Sequence, residues 1–320
     1  MTSNTPEPKR TKTYSGKLTP VLMMQLAAPH TWSASIAPVL LAGALVLGTM
    51  GTLSVITLFV LLAISILMQS AVNTINDYFD YVKGTDTEEN QDDPTDAVLV
   101  YNDINPKEAR NLAIAFLAAA FILGVFIIIR AGWIPLVIAL VGALIVFLYS
   151  GGKTPISYLP IGEFVSGITM GGLITLASYQ ALTLVFDWSA LLFSVPVMLC
   201  IGLIMFTNNT CDIEKDIQAD RKTLPVILGR EKARNAYHGV MVVAVLFTFI
   251  LVGVYFPRGL VVLVFMALIC IGQFKALLGN PLVSASRGPA MGQVTTFTVL
   301  VSVAYCAAIF FHCACVLTLL

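Results

Sequence analysis

The stretch Asn76-Asp77-Tyr78-Phe79-Asp80-Tyr81-Val82-Lys83-Gly84-Thr85-Asp86 ends a long apolar run with a burst of carboxylates. A second stretch answers it: Asn208-Asn209-Thr210-Cys211-Asp212-Ile213-Glu214-Lys215-Asp216, with more acid at Asp220. Each begins Asn-x-x-x-Asp, and each closes a hydrophobic segment. On an α-helix, positions i and i+4 share a face, so Asn76 and Asp80 point one way, as do Asn208, Asp212 and Asp216. Asp86 lies past Gly84 and needs a loop to bring it in. Oxygen ligands clustered at the edge of apolar segments suit hard divalent cations that grip a phosphate-bearing substrate.

Composition sets the surroundings of these motifs. The 320 residues are 58% hydrophobic and only 11% charged. The apolar residues come in runs near 20 long, enough to cross a hydrocarbon core about 30 Å thick. This excludes an ordinary soluble domain and predicts an all-α, polytopic membrane protein. Residues 1–20 are polar, carry Lys9, Arg10, Lys12 and Lys17, and lack the apolar core of a signal peptide. They are expected to form a disordered cytoplasmic tail ahead of one transmembrane domain over 21–320. The six cysteines include no Cys-x-x-Cys pair. Cys313 and Cys315 beside His312 read as apolar segment rather than metal site.

Nine hydrophobic spans are predicted, near 22–48, 52–76, 109–129, 133–150, 161–182, 188–208, 236–255, 259–278 and 291–318. The first is interrupted at Pro29-His30-Thr31-Trp32. With the N-terminus inside, 16 of the 18 Lys and Arg residues fall on inner segments, leaving Arg130 and Arg258 outside. Both acidic motifs then lie on the cytoplasmic side, followed by the two long inner loops, 77–108 and 209–235. Long polar loops between membrane helices are often functional. Asn105-Pro106-Lys107-Glu108 reads as a helix start with Pro in the first position.

A diphosphate in a low-dielectric pocket needs its charge matched. Metals held by carboxylates do this, and Lys or Arg take the remaining oxygens. Without a cation, Asp80, Asp86, Asp212 and Asp216 would repel each other by about 1 kcal/mol or more per close pair. Lys83, Lys153, Arg221 and Lys222 supply the complementary positive charge. The other acids of the first loop, Glu88, Glu89, Asp92, Asp93 and Asp103, read as ordinary solvated loop residues.

Taken together, these motifs and the short loop Tyr149-Ser150-Gly151-Gly152 with Lys153, Tyr158 and Gly162-Glu163 make the chain resemble a known family. It resembles the UbiA superfamily of intramembrane aromatic prenyltransferases, most nearly those that act on 1,4-dihydroxy-2-naphthoate in menaquinone biosynthesis. Ser35-Ile36-Ala37-Pro38-Val39 is similar to that family's first helix. The resemblance implies nine helices around a central cavity, capped by cytoplasmic loops, in a membrane such as the bacterial plasma membrane. It implies Mg2+ as cofactor, with Asn76, Asp80 and Asp86 serving one metal set and Asn208, Asp212 and Asp216 the other. Lys83 and Lys153 would bind diphosphate, Tyr149 would orient the allylic group or face its developing cation, and Asp80 and Asp212 would be essential to turnover. The partners implied are a polyprenyl diphosphate, an aromatic quinone precursor and membrane lipid, with no nucleic acid.

The sequence also departs from the family. Many relatives have Arg just after the last metal-binding Asp; here Ile217 stands there, with Arg221 and Lys222 one turn later. Ala28-Pro29-His30 replaces an Arg-Pro start. Transfer to 4-hydroxybenzoate, haem or a glycerol phosphate lipid therefore stays open beside the naphthoate. A transporter would set charges near mid-bilayer, whereas the acids here gather at one edge. The Asp-Gly-x-x-Ala-Arg signature of a phosphatidyl-alcohol transferase is missing.

Overall fold

Long runs of Leu, Ile, Val, Ala and Phe keep their backbone hydrogen bonds within the segment only as helices, the form that lipid demands. A computed structural model describes residues 14–84, 98–151, 154–312 and 316–318. The expected Asp86, Lys153, Glu88, Glu89, Asp92, Asp93, Cys313 and Cys315 lie outside them. By their internal contacts the residues form two compact units, one of 1–29 with 70–116 and one of 30–69 with 117–320.

In the first unit, α1 (Pro20–Ala27) opens with Pro at its first position and Thr19 as its cap, the hydroxyl accepting from the Leu22 N–H at 3.3 Å. It ends at Ala28 with φ 47°, just before Pro29. α3 (Val55–Lys83) enters this unit from Ser70 onward. Thr74 donates to the Leu26 carbonyl at 3.2 Å and Asn73 to that of Ala27 at 3.0 Å, tying α3 to the end of α1. A short α4 (Val98–Tyr101) and the start of α5 (Pro106–Ala131) complete the unit. Its core is Leu26, Val98, Leu99, Ile104 and Ala109. α5 starts at Pro106, as the sequence predicted, and Asn105 Oδ1 accepts from the Lys107 N–H at 3.0 Å.

The disordered tail expected over 1–20 needs correcting at its end. Ser15 donates its N–H and hydroxyl to the Asp103 carboxylate at 2.9 and 2.7 Å. Gly16 bridges to Ile104, and the Leu18 N–H donates to Glu108 at 3.2 Å. Polar composition hid this anchoring, because the partners lie almost ninety residues away.

The second unit is built around α2 (Ser33–Met50) and α9 (Ser189–Cys211). α2 packs on α8 (Ile174–Thr183) and α15 (Arg287–His312), and α9 packs on α12 (Arg230–Tyr255) and α15. Leu41, Leu45, Val197, Ile201, Val252, Tyr305 and Ile309 form the largest core cluster. α6 (Ile134–Ser150), α7 (Gly162–Ser166) and a π-helical segment Gly167–Leu173 run into α8. That π segment lies directly on α9. A methyl on Gly167 would stand 2.5 Å from the Met198 carbonyl oxygen, and one on Gly171 2.7 Å from the Met198 Cα. Only glycine lets the two backbones meet here. After α9 come α10 (Ile213–Gln218) and α11 (Leu224–Leu228), and after α12 the pair α13 (Leu260–Ile269) and α14 (Ile271–Gly279). Thr52–Ser54 pairs in parallel with Val316–Thr318.

Each of the nine expected spans has a helical counterpart, but fewer meet the demands of a full crossing. Among the described residues six helices are long and apolar enough, or seven if α13 and α14, bent by 53°, count as one. α6 has only 17 residues, and the 162–183 stretch is divided by its π segment. Several helices also outrun their apolar limits. α3 continues to Lys83 and α12 starts at Arg230, because hydrogen bonding carries a helix past the point where lipid stops requiring it. At about 1.5 Å per residue, the 29 residues of α3 extend roughly 43 Å. A bilayer core takes about 30 Å of that, and the remainder carries the first acidic motif.

Candidate active site

In the first unit, Asn76 and Asp80 are both half-buried one turn apart on α3, as the i, i+4 spacing predicted. Lys83 is exposed at the helix end, its Nζ 5.6 Å from the centre of the Phe79 ring. Gly84 follows at φ 72°, a left-handed position suited to glycine that stops the helix.

In the second unit the other motif closes α9. Asp212 ends α9 and begins α10; its N–H donates to the Asn208 carbonyl at 3.1 Å. The two side chains meet on one cation. Arg287, at the start of α15, donates to Asn208 Oδ1 from Nε at 3.1 Å and from Nη2 at 2.8 Å. The same Nε lies 3.2 Å from Asp212 Oδ2. Asp212 Oδ1 is buried and has no hydrogen-bond partner among the described residues. A buried carboxylate oxygen left open in this way is the feature a hard cation would satisfy.

One turn on, Asp216 is only 4% exposed. Thr223 donates its hydroxyl to Oδ2 at 3.0 Å, and Arg221 Nη1 lies 3.5 Å from Oδ1. Burial pushes the Asp216 carboxyl above its ordinary range; Thr223 and Arg221 pull it back down, and the nearby Asp212 charge adds to the rise. The Arg221 guanidinium stacks 4.7 Å above the Tyr158 ring, and the Lys222 N–H donates to the Tyr158 carbonyl at 2.9 Å. The side chain of Lys222 is exposed. These contacts join the 209–235 loop to the short loop after α6.

Tyr149, half-buried near the end of α6, brings its hydroxyl over Gly162; a methyl on that glycine would lie 3.3 Å from the hydroxyl oxygen. The neighbouring Glu163 is 5% exposed and accepts from Asn209 Nδ2 at 2.8 Å. Its other oxygen has no hydrogen-bond partner among the described residues. Glu214 accepts both short bonds from Arg230 Nη2 at 2.7 Å, and this pairing lowers its carboxyl below the usual range. Arg230 also donates to the carbonyls of Thr210 and Leu282, which ties the second motif to the α12 start.

The second unit therefore brings Asn208 and Asp212 together, with Asp216, Arg221, Tyr149 and Tyr158 around the same end of α9. Among the described residues no three His, Cys, Asp or Glu side chains gather as a ready metal cage; the motif pairs Asn with Asp instead. Sequence reasoning missed Arg287, Thr223 and Arg230 as site residues. Arg287 counted only as one more inner charge, and nothing in its neighbourhood marks a partner 79 residues back. His312, considered for a metal, accepts at Nδ1 from the Arg258 N–H at 3.3 Å.

The UbiA prenyltransferase family matches residues 35–287. The 1,4-dihydroxy-2-naphthoate octaprenyltransferase of Bacillus subtilis (strain 168) is 36% identical over 217 residues, 66% of this chain and 67% of that protein. The protein of the same name from Mycobacterium tuberculosis is 31% identical over 195 residues, 59% of this chain and 64% of its own length. Among solved structures, a UbiA homolog from Archaeoglobus fulgidus bound to GPP and Mg2+ superposes with a TM-score of 0.61 at 17% identity, covering 89% of this chain and 99% of that one. The apo UbiA homolog from Aeropyrum pernix K1 gives 0.62 at 17%, covering 87% and 96%. These likenesses establish a shared polytopic helical fold. The match over 35–287 takes in the second Asn-x-x-x-Asp set and both loops beside it, and the chain belongs to the UbiA prenyltransferase family.

Proposed function

We propose that this integral membrane protein transfers a polyprenyl group from its diphosphate to an aromatic acceptor, 1,4-dihydroxy-2-naphthoate, in menaquinone biosynthesis. The observation that carries the reading is the second Asn-x-x-x-Asp set. It ends an apolar helix, keeps Asn208 and Asp212 on one face, and leaves a buried Asp212 oxygen without a partner among the described residues. The identity to the Bacillus naphthoate enzyme supports the choice of acceptor. The charge distribution supports a cytoplasmic N-terminus, with both motifs facing the cytoplasm of a bacterial plasma membrane.

Mg2+ held by Asn76, Asp80 and Asp86 as one set, and by Asn208, Asp212 and Asp216 as the other, would supply charge neutralisation of the diphosphate. Lys83, Lys153, Arg221 and Lys222 would bind diphosphate oxygens and fix the donor's head. The Arg221–Tyr158 stack holds that guanidinium in place. As the allylic carbon–oxygen bond breaks, the Tyr149 ring faces the developing cation. The ring carbon of the acceptor then attacks, the diphosphate leaves with the electron pair of the broken carbon–oxygen bond, and the ring loses a proton to regain aromaticity; the naphthoate also loses its carboxylate as CO2, a proton taking its place. The apolar helices exclude the water that would otherwise capture the cation.

The test is transfer of radiolabelled prenyl groups by the purified protein, with and without magnesium, offering the naphthoate against 4-hydroxybenzoate. Magnesium-dependent product from the naphthoate alone is expected. Product only from 4-hydroxybenzoate would keep prenyl transfer and overturn the acceptor. Asp80→Ala and Asp212→Ala should each abolish turnover in protein that still inserts and folds. Retained activity in both would refute the metal–diphosphate reading.

A further inference from the structure

Arg287 occupies the atoms that a cation would need. Its Nε and Nη2 both point at Asn208 Oδ1, at 3.1 and 2.8 Å, and an amide oxygen offers only two lone pairs. The Nε also lies 3.2 Å from Asp212 Oδ2, while Oδ1 of the same carboxylate is buried and has no partner among the described residues. The two side chains are about one-third and one-sixth exposed (34% and 16%), so the pair is partly shielded from water. A guanidinium is always charged and cannot leave by losing its proton. It can leave only by moving to another anion.

We propose that Arg287 is a resident cation for the second Asn-x-x-x-Asp set, competing with the divalent ion until a diphosphate draws the guanidinium away. The inference rests on the metal–diphosphate reading above and adds an order of loading to it. With no diphosphate present, the divalent ion meets Asn208 Oδ1 already taken and Asp212 already partly neutralised, and it binds weakly. A diphosphate accepts paired N–H bonds from guanidinium as well as a carboxylate does. Its arrival frees Asn208 Oδ1 and Asp212 Oδ2, beside the Asp212 Oδ1 already open, at the moment the ion is needed. The site thus avoids holding a bare metal between turnovers, and it avoids an unpaired carboxylate in its shielded position. Arg287 is a positioning residue in this scheme, acting through Asn208 and Asp212.

The experiment measures Mn2+ binding to the full-length protein in detergent, by loss of the free-ion electron paramagnetic resonance signal, with and without inorganic pyrophosphate. Wild type should bind Mn2+ weakly alone and more tightly with pyrophosphate. Arg287→Gln should bind Mn2+ about tenfold more tightly without pyrophosphate, the scale of one lost charged hydrogen-bond pair, and should lose most of the pyrophosphate enhancement. Arg287→Lys keeps the charge without the fork and should fall between the two. Size-exclusion and melting profiles identify the variants that have folded. Should Arg287→Gln misfold, Arg287→Lys carries the test alone, with a weaker enhancement expected. Unchanged Mn2+ affinity in the folded Arg287 variants, with binding abolished by Asp212→Ala, would overturn the role of Arg287 and keep the metal site. Mn2+ binding unaffected by Asp212→Ala would overturn the metal reading itself.

Discussion

At the residue scale, the second motif is held by partners of unequal worth. Glu214 and Arg230 form a short two-oxygen ion pair, yet the Glu214 side chain is 65% exposed. Exposed pairs contribute only about 0–1 kcal/mol. Arg230 also satisfies the Thr210 and Leu282 carbonyls, and losing a charged donor from partly buried acceptors costs about 1.5–3 kcal/mol. Thermal melting should therefore separate the two variants, with Glu214→Ala near wild type and Arg230→Ala clearly lower. Equal shifts would mean that the ion pair, and not the carbonyl contacts, holds the loop.

Thr223 tests the Asp216 environment in the same way. The Asp216 carboxyl is raised by burial, so its protonated form favours folding at low pH and that contribution is lost as pH rises through the folded value. Thr223→Val removes one of the two groups that stabilise the charged form. The acid limb of the turnover–pH profile should move to higher pH. In EDTA, the melting deficit of Thr223→Val should be largest near neutrality and shrink as pH falls through the carboxylate range. A deficit that does not change with pH would assign Thr223 a packing role only. The sequence made Asn208, Asp212 and Asp216 readable because a helix repeats every turn. Arg287, Thr223 and Arg230 were not readable, since what places them is tertiary packing with no periodic trace.

At the scale of elements, hydropathy located every long helix but not its ends or its irregularities, and it passed over the short helices α4, α10 and α11 in the two inner loops. Polar motif residues extend α3 and α12 beyond their apolar cores, which a hydropathy reading stops at. The π segment over Gly167–Leu173 left no pattern in the sequence beyond its three glycines. Its role is visible only against α9, where the Gly171 Cα approaches the Met198 backbone. Gly171→Ala should force the two helices apart, destabilising by about 1–3 kcal/mol as overpacked cores do. Because α9 carries Asn208 and Asp212, its activity should fall as well. Gly239→Ala on α12, where a methyl meets nothing within 4 Å, is the control and should be neutral or better. A Gly171→Ala protein that melts like wild type would refute the close-packing account.

At the scale of the whole molecule, the proposed inner placement of positive charge has a direct test. Single cysteines introduced at Lys83 and at Lys222, both exposed, should react with a membrane-impermeant maleimide only after the cytoplasmic side is opened. Reaction of the two from opposite sides would overturn the shared orientation. Native Cys200, Cys211 and Cys270 are buried and should give little background.

The helices differ in what surrounds them. In α2 the crossing window is 67% buried, much of it Ala and Gly; in α5 it is 17% buried, and Phe121, Ile122 and Ile129 are among its exposed side chains. Along α5, then, one oily residue is nearly as good as another, since the solvent there is lipid and lipid does not discriminate shape. Along α2 each side chain answers to a particular neighbour. A library of random substitutions should show this as two kinds of tolerance: α5 drifting freely among apolar residues, and α2 accepting almost no change in volume.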